Sequence, residues 1–249
     1  MDPFDTAAAW YDLLAGGLAR IERESGLLRH ALGPGRRVLD LACGTGLHAR
    51  FFAELGASVV AADLSENMVG SAKSLRHHPG IQWVMGSMLA PPVNTVDLVT
   101  CLGNSIALLE SPEDTEVFFR HAAGVLVPGG ALMIQLLNGG GSVWRTDRTR
   151  EVYATLKGMP ITIRKRWNFL QATDTALMLT LTIEQINAFS ALPAERIESQ
   201  LRLWYPDFLE TVAGASCFVL ESRWGGITRV PYDPATSPDY VGIWRKEGR

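Results

Sequence analysis

The 249-residue sequence has three cysteines, Cys43, Cys101 and Cys217, odd in number, widely separated and without a CxxC or Cys/His ligand spacing. That pattern argues against a disulfide framework and against a zinc site, and suits reduced thiols in a cytoplasm. Cys43 and Cys101 fall at predicted strand ends and read as small packing residues rather than nucleophiles. No apolar run approaches the roughly 18 residues that a membrane span needs. The opening Met1-Asp2-Pro3-Phe4-Asp5 is acidic, where a secretory leader would be basic and then apolar. Positive charge is not in excess either: 23 Lys and Arg against 26 Asp and Glu leave a net charge of −3. A protein that grips a duplex through many phosphates would be basic or carry a basic face. The expectation is a soluble, cytoplasmic, metal-free protein with a small-molecule substrate, no nucleic-acid or membrane partner, and an oligomeric state the sequence leaves open.

What the chain does have is 47% hydrophobic residues, enough for one full core plus an elaboration. The most informative stretch is Val38-Leu39-Asp40-Leu41-Ala42-Cys43-Gly44-Thr45-Gly46, followed by an amphipathic segment from Leu47 to Leu55 and by Gly56. An apolar run, an acid, small residues, two glycines and an amphipathic segment read as strand, tight turn and helix. Gly44 and Gly46 permit positive φ and a close backbone approach to a ligand, and Ala42 and Cys43 keep the mouth of the turn narrow. N–H groups at the start of the helix point into the crevice beyond the strand end, where open α/β sheets bind ligands. A second apolar run, Ser58 to Ala62, ends at Asp63. An acid about twenty residues after such glycines takes both hydroxyls of a ribose, so a nucleoside is implied.

Val38 to Gly46, with Val59-Val60-Ala61-Ala62-Asp63-Leu64-Ser65, resembles the first two motifs of the class I S-adenosylmethionine-dependent methyltransferases. Ile81-Gln82-Trp83-Val84-Met85-Gly86-Ser87-Met88 is similar to the third motif, and Val96-Asp97-Leu98-Val99-Thr100-Cys101 to the fourth. Leu126-Val127-Pro128-Gly129-Gly130 resembles the turn before the fifth strand. The resemblance implies a Rossmann-like α/β sheet of seven strands, the last antiparallel, and S-adenosyl-L-methionine as cofactor. Carried onto this sequence, it implies a cofactor site of Tyr11, Asp40, Ala42, Gly44, Gly46, Asp63, Leu64, Met68, Ser87, Met88, Cys101 and Leu102.

In that family an acid usually precedes the methionine of the third motif and accepts a bond from the adenine amino group. Ser87 stands there, able to accept the bond without charge assistance, while Met88 would cover the ring face or fill the core. After the fourth strand, the Asp/Asn-Pro-Pro-aromatic loop of nucleic-acid base methyltransferases is absent. Cys101-Leu102-Gly103-Asn104-Ser105 instead resembles the glycine and sarcosine N-methyltransferases. The segment before the first motif, residues 5 to 32, reads as two short helices broken near Gly16-Gly17. The resemblance implies that it closes over the cofactor with Tyr11-Asp12 near the methionine end; Tyr11 as a plain helix anchor is the alternative.

From about residue 150 the periodicity changes. Met159 to Leu170, Leu177 to Ile186 and Ile197 to Tyr205 partly alternate and are rich in Ile, Thr, Leu, Trp and Phe, which predicts antiparallel strands. The chain divides into an α/β core with its leading helices (1–149), a small inserted antiparallel β-sheet over the cofactor (150–205), and a return to the core (206–249). Arg164 and Arg166 share one face of their strand and could hold an acceptor carboxylate, or simply form a solvated face. Asn104 and Asn138 complete the substrate-binding candidates, and Gly139-Gly140-Gly141 would let a loop move over the site.

No catalytic triad stands out, and no catalytic residue is assigned. His48, the one histidine near the motifs, is either a base or a residue of the helix face. A sulfonium activates its own methyl group, so the protein has to align an acceptor and exclude water. Transfer to nitrogen or oxygen of a small molecule by in-line displacement is the leading reading. A nicotinamide-dependent oxidoreductase is the first alternative, although Asp40 would repel a pyrophosphate; a non-catalytic S-adenosylmethionine-binding protein is the second.

Overall fold

The computed structural model describes residues 4–34, 37–93, 95–187 and 193–248. Residues 35 and 36, just before β1, lie outside the described residues, as do the first three residues of the chain. A 3-10 turn at Asp5–Ala9 leads to α1 (Tyr11–Ala15) and α2 (Gly17–Leu32). The core follows as β1 (Arg37–Leu41), α3 (Leu47–Glu54), β2 (Ser58–Asp63), α4 (Glu66–Leu75), β3 (Ile81–Met85) and β4 (Val96–Cys101). A 3-10 turn at Ser105–Leu108, α5 (Pro112–Val125) and β5 (Leu126–Leu137) come next. Four strands, β6 (Arg148–Leu156), β7 (Met159–Ala172), β8 (Ala176–Asn187) and β9 (Pro193–Trp204), precede α6 (Pro206–Ala215), β10 (Phe218–Trp224) and β11 (Asp239–Lys246).

Seven strands form one sheet in the order β3-β2-β1-β4-β5-β11-β10, and β11 runs antiparallel to both of its neighbours. Val38 sits opposite Val59 on one side and Leu98 on the other, in parallel ladders. Helices cover both faces of such a sheet, which is why its central strands read as unbroken apolar runs. One core cluster holds Leu39, Leu41, Phe118, Phe119 and Trp244; the opposite face holds Leu27 and Leu28 of α2, Phe51 and Phe52 of α3, and Val59 and Leu98. Local chemistry sets the helix ends. Gly16 at φ 92° separates α1 from α2, where the left-handed region favours glycine. Ser65 Oγ accepts from Met68 N, and Ser111 Oγ accepts from Asp114 N, both at 3.1 Å, as N-caps do.

The smaller sheet, β6-β7-β8-β9, is antiparallel throughout. One face packs Ile161, Ile163, Leu177, Leu179 and Ile183 against Trp10, Met68 and Ala107, so it stands over the carboxyl ends of the large sheet. Trp10 Nε1 donates to Glu195 Oε2 at 2.6 Å, and Trp204 Nε1 to the Ile106 carbonyl at 3.0 Å. The sequence predicted three strands here, and the structure has four. The unforeseen β6 is an edge strand paired only with β7, and its first residues are exposed, so no burial imposes an apolar period on it.

The expected mobile loop at Gly139-Gly140-Gly141 is also corrected. A Cβ on Gly139 would lie 2.1 Å from the Leu203 carbonyl oxygen, and one on Gly141 3.0 Å from that of Ala235. These glycines allow backbones to pack closely. Among the described residues no helix is long and apolar enough to cross a membrane.

Candidate cofactor and acceptor site

The turn after β1 carries three left-handed residues, Ala42 (φ 51°), Gly44 (φ 55°) and Gly46 (φ 82°). Asp63, at the tip of β2, holds this turn. Its Oδ2 accepts from Gly44 N at 2.7 Å, and its Oδ1 from Ser65 N at 2.9 Å. The Tyr11 ring lies over Gly44, 3.5 Å from where a Cβ would be. Burial raises the Tyr11 phenol above its ordinary value; Arg20 opposes the rise, and Asp63 and Asp12 add to it. Beside the ring, Thr45 Oγ1 and Arg76 both donate to Asp12, tying α1 to the turn and to the residue after α4.

Gly46 adopts the positive φ its motif suggested, and packing gives it a second reason to be glycine. A Cβ there would stand 2.3 Å from Cη2 of Trp83, so the space is filled by an indole from β3. Gly46→Ala is expected to lower stability by about 2–3 kcal/mol, through the clash and the unfavourable φ. Adding Trp83→Leu should recover part of the loss in a urea-denaturation double-mutant cycle.

Asp40 is buried in β1. Thr100 Oγ1 donates to its Oδ1 at 2.6 Å, whereas Oδ2 has no hydrogen-bond partner. Burial pushes its carboxyl up, against the opposing pull of His48, Thr100 and the Ala49 backbone. Beneath the turn, His48 Nε2 lies 2.7 Å from Glu24 Oε2, and Arg20 Nε donates to Glu24 Oε1 at 2.7 Å. His48 is thus a buried partner of α2 and does not face an acceptor. Burial also raises the Cys43 and Cys101 thiols well above the ordinary range, so both remain protonated packing residues.

The other residues expected to hold cofactor divide sharply. Leu64, beside Asp63, is exposed, and Ser87 Oγ accepts from Leu89 N at 3.1 Å. Met88 packs partly against the first core cluster. Met68 is buried under Trp10 and Ala7, so its side chain is core and not a pocket wall. Cys101 and Leu102 are likewise buried, leaving only their backbone for a ligand.

The four substrate-binding candidates all have partners within the chain. Asn138 is fully buried: its Nδ2 donates to the Pro234 and Ser237 carbonyls, and its Oδ1 accepts from Gly140 N and Tyr232. It pins the 232–238 loop. Asn104 Oδ1 accepts from Leu137 N at 2.9 Å, joining the ends of β4 and β5. Arg164 donates to Glu151 and Arg166 to Glu184 across the strands of the small sheet, on the face turned away from Trp10. The carboxylates they hold belong to the chain itself.

Residues that sequence reasoning missed lie at the same edge. Arg20 Nη2 donates to Gln135 Oε1, which also accepts from Gly103 N, so the guanidinium rests over the end of β4. Asp239 opens β11 opposite Leu137, and burial raises it to about 6, with Arg20 opposing. Only the order of β11 in the sheet brings it here. Among the described residues no group of three or more His, Cys, Asp or Glu could hold a metal.

Residues 38–130 match the family described as Methyltransferase domain. That match marks residues 38–130 as a methyltransferase domain. The strand order, the antiparallel β11 and the glycine turn give the chain around it the fold of the class I S-adenosylmethionine-dependent methyltransferases. It is 36% identical over 110 residues to a ubiquinone biosynthesis O-methyltransferase of Xanthomonas campestris pv. campestris, covering 42% of this chain and 44% of that one. The chain spans less than half the length of that curated relative. Among solved structures, the methyltransferase CcbJ from Streptomyces caelestis superposes with a TM-score of 0.74 at 23% identity, over 91% of this chain and 95% of its own. An S-adenosylmethionine-dependent methyltransferase from Clostridium acetobutylicum gives 0.79 at 15% identity, over 98% and 99%. At these identities the structural likeness speaks for the fold, small sheet included.

Proposed function

We propose that the chain binds S-adenosyl-L-methionine and transfers its methyl group to nitrogen or oxygen of a small molecule under the small sheet. The observation that carries this reading is the pairing of Asp63, held at the tip of β2 by Gly44 N, with Asp40, whose buried Oδ2 lacks a partner. A ribose offers two hydroxyls to the first, and an amino-acid tail offers an ammonium to the second, directly or through water. A dinucleotide would bring a diphosphate towards two carboxylates, which Coulomb repulsion disfavours. The residues present therefore fit S-adenosylmethionine and oppose a nicotinamide cofactor.

The bound cofactor would supply an electrophilic methyl group. The work left to this chain is placement and exclusion of water. Tyr11 and Asp12 close α1 over the glycine turn, and the third-motif resemblance would give the Ser87 hydroxyl the adenine edge. We read 1–149 and 206–249 as the cofactor-binding body and 150–205 as the acceptor-lining insert. A net charge of −3 and three widely spaced cysteines support a soluble cytoplasmic enzyme that does not bind nucleic acid.

S-Adenosylhomocysteine is expected to raise the melting temperature of the purified protein, and NAD to leave it unchanged. Protection by NAD alone would replace this reading with the oxidoreductase. Cofactor binding with no methyl transfer to a broad panel of amines, phenols and acids would leave a non-catalytic binder.

A further inference from the structure

The face of β7 that looks into the molecule carries Ile161, Ile163, Lys165 and Trp167, the alternate residues to Arg164 and Arg166. Along the outer face, charges match across the strands: Glu151 stands opposite Arg164, which stands opposite Glu184. The inner face breaks that order. Lys165 is directly opposite Arg150, a like-charge cross-strand pair that destabilises a sheet. Its partner on the other side is Ile183, which offers no charge. Neither Lys165 nor Arg150 has an ion-pair or hydrogen-bonded carboxylate among the described residues, whereas Arg164, Arg166 and Arg196 of the same sheet each have one.

The surroundings point in the same direction. Lys165 Nζ lies 5.9 Å from the centroid of the Trp167 ring, and Trp167 packs on Trp144 at 5.5 Å. The charges acting on Lys165 are those of Arg150 and Arg20, both positive, and burial together with those two lowers its ammonium to about 8. Arg20 is the residue lying over Gly103 at the end of β4, so Lys165 is within electrostatic reach of that edge. A semi-buried cation facing a second cation is costly by itself and becomes favourable when an anion sits between them.

We infer that Lys165 and Arg150 form a subsite for an anionic group of the methyl acceptor, against the aromatic wall of Trp167 and Trp144. This rests on the proposed methyl-transfer reading and narrows its substrate class to small molecules that carry a carboxylate or phosphate on an apolar or aromatic body. Lys165 and Arg150 would position the acceptor and select it, without taking part in bond making.

The test is calorimetric titration of the S-adenosylhomocysteine-loaded protein with benzoate, phenyl phosphate and uncharged benzamide. At least one anion is expected to bind more tightly than benzamide, and whichever binds better distinguishes carboxylate from phosphate. Lys165→Gln and Arg150→Gln should each weaken the anion roughly tenfold or more, Lys165→Arg should retain it, and affinity for S-adenosylhomocysteine should not move. Without ligand, Lys165→Gln should hold or raise the melting temperature, since it removes a like-charge repulsion. Equal binding of benzamide and the anions, or a Lys165→Gln variant that melts lower and binds anions normally, would overturn the inference. Failure of S-adenosylhomocysteine itself to bind would instead strike the methyl-transfer reading.

Discussion

Asp63→Ala is expected to weaken S-adenosylhomocysteine binding by on the order of a hundredfold, about 3 kcal/mol, as measured by calorimetry. Two losses combine in that figure. The carboxylate that would take the ribose hydroxyls is gone, and the turn it holds through Gly44 N and Ser65 N loses both anchors. Asp63→Asn separates them: it keeps an acceptor oxygen and the side-chain shape but not the charge, and about a tenfold loss is expected. Unchanged affinity in Asp63→Ala would move the cofactor elsewhere on the molecule.

The second large effect lies beneath the site. Glu24 is 3% exposed and accepts from both Arg20 and His48. Glu24→Leu would leave those two groups facing an apolar side chain, and a stability loss of about 3–5 kcal/mol is expected in urea denaturation. The double variant Glu24→Leu, His48→Leu should lose less than the sum of the single changes, because the two residues are in contact.

Glu24 also sets a pH dependence. Burial pushes its carboxyl up, but the bonds and charge of His48, then of Arg20, hold it below its ordinary value of 4.5. A carboxylate whose folded value is depressed adds stability that is complete above the unfolded value. That stability disappears as pH falls through the folded value. Glu24→Gln should therefore show a flatter loss of stability below about pH 4.5 than the parent protein. Because Arg20 spans Glu24 and Gln135, the same change should also loosen the guanidinium over Gly103.

Most of the large sheet was legible because its central strands are buried on both faces. Val38 to Leu41, Ser58 to Asp63, Ile81 to Met85 and Val96 to Cys101 announce themselves as apolar runs closed by turn residues, and Ser65 and Ser111 mark the helices between. β6 escaped because its first residues are exposed and none of its residues is fully buried, so burial imposes no apolar period on it. Asn138 misled for another reason: an amide after a strand end looks available to a ligand, and nothing local shows that residues 232–238 return to occupy both of its ends. Arg164 and Arg166 were read correctly as sharing a face, but the sequence cannot say which face looks inward.

By itself, the sequence determined the strand-turn-helix at Asp40 to Gly46, the acid at Asp63, the family those features resemble, and the change of period that marks the small sheet. These follow from local rules: backbone freedom at glycine, capping hydroxyls, and apolar periods imposed by burial. Tertiary structure alone decided that Trp83 fills the space over Gly46, that Glu24 holds His48 against α2, and that Lys165 rather than Arg164 shares the inward face of the small sheet. Each of those depends on which distant segment comes to lie alongside. Strand register and helix packing settle that through the burial of the whole chain, and no short stretch of residues encodes it.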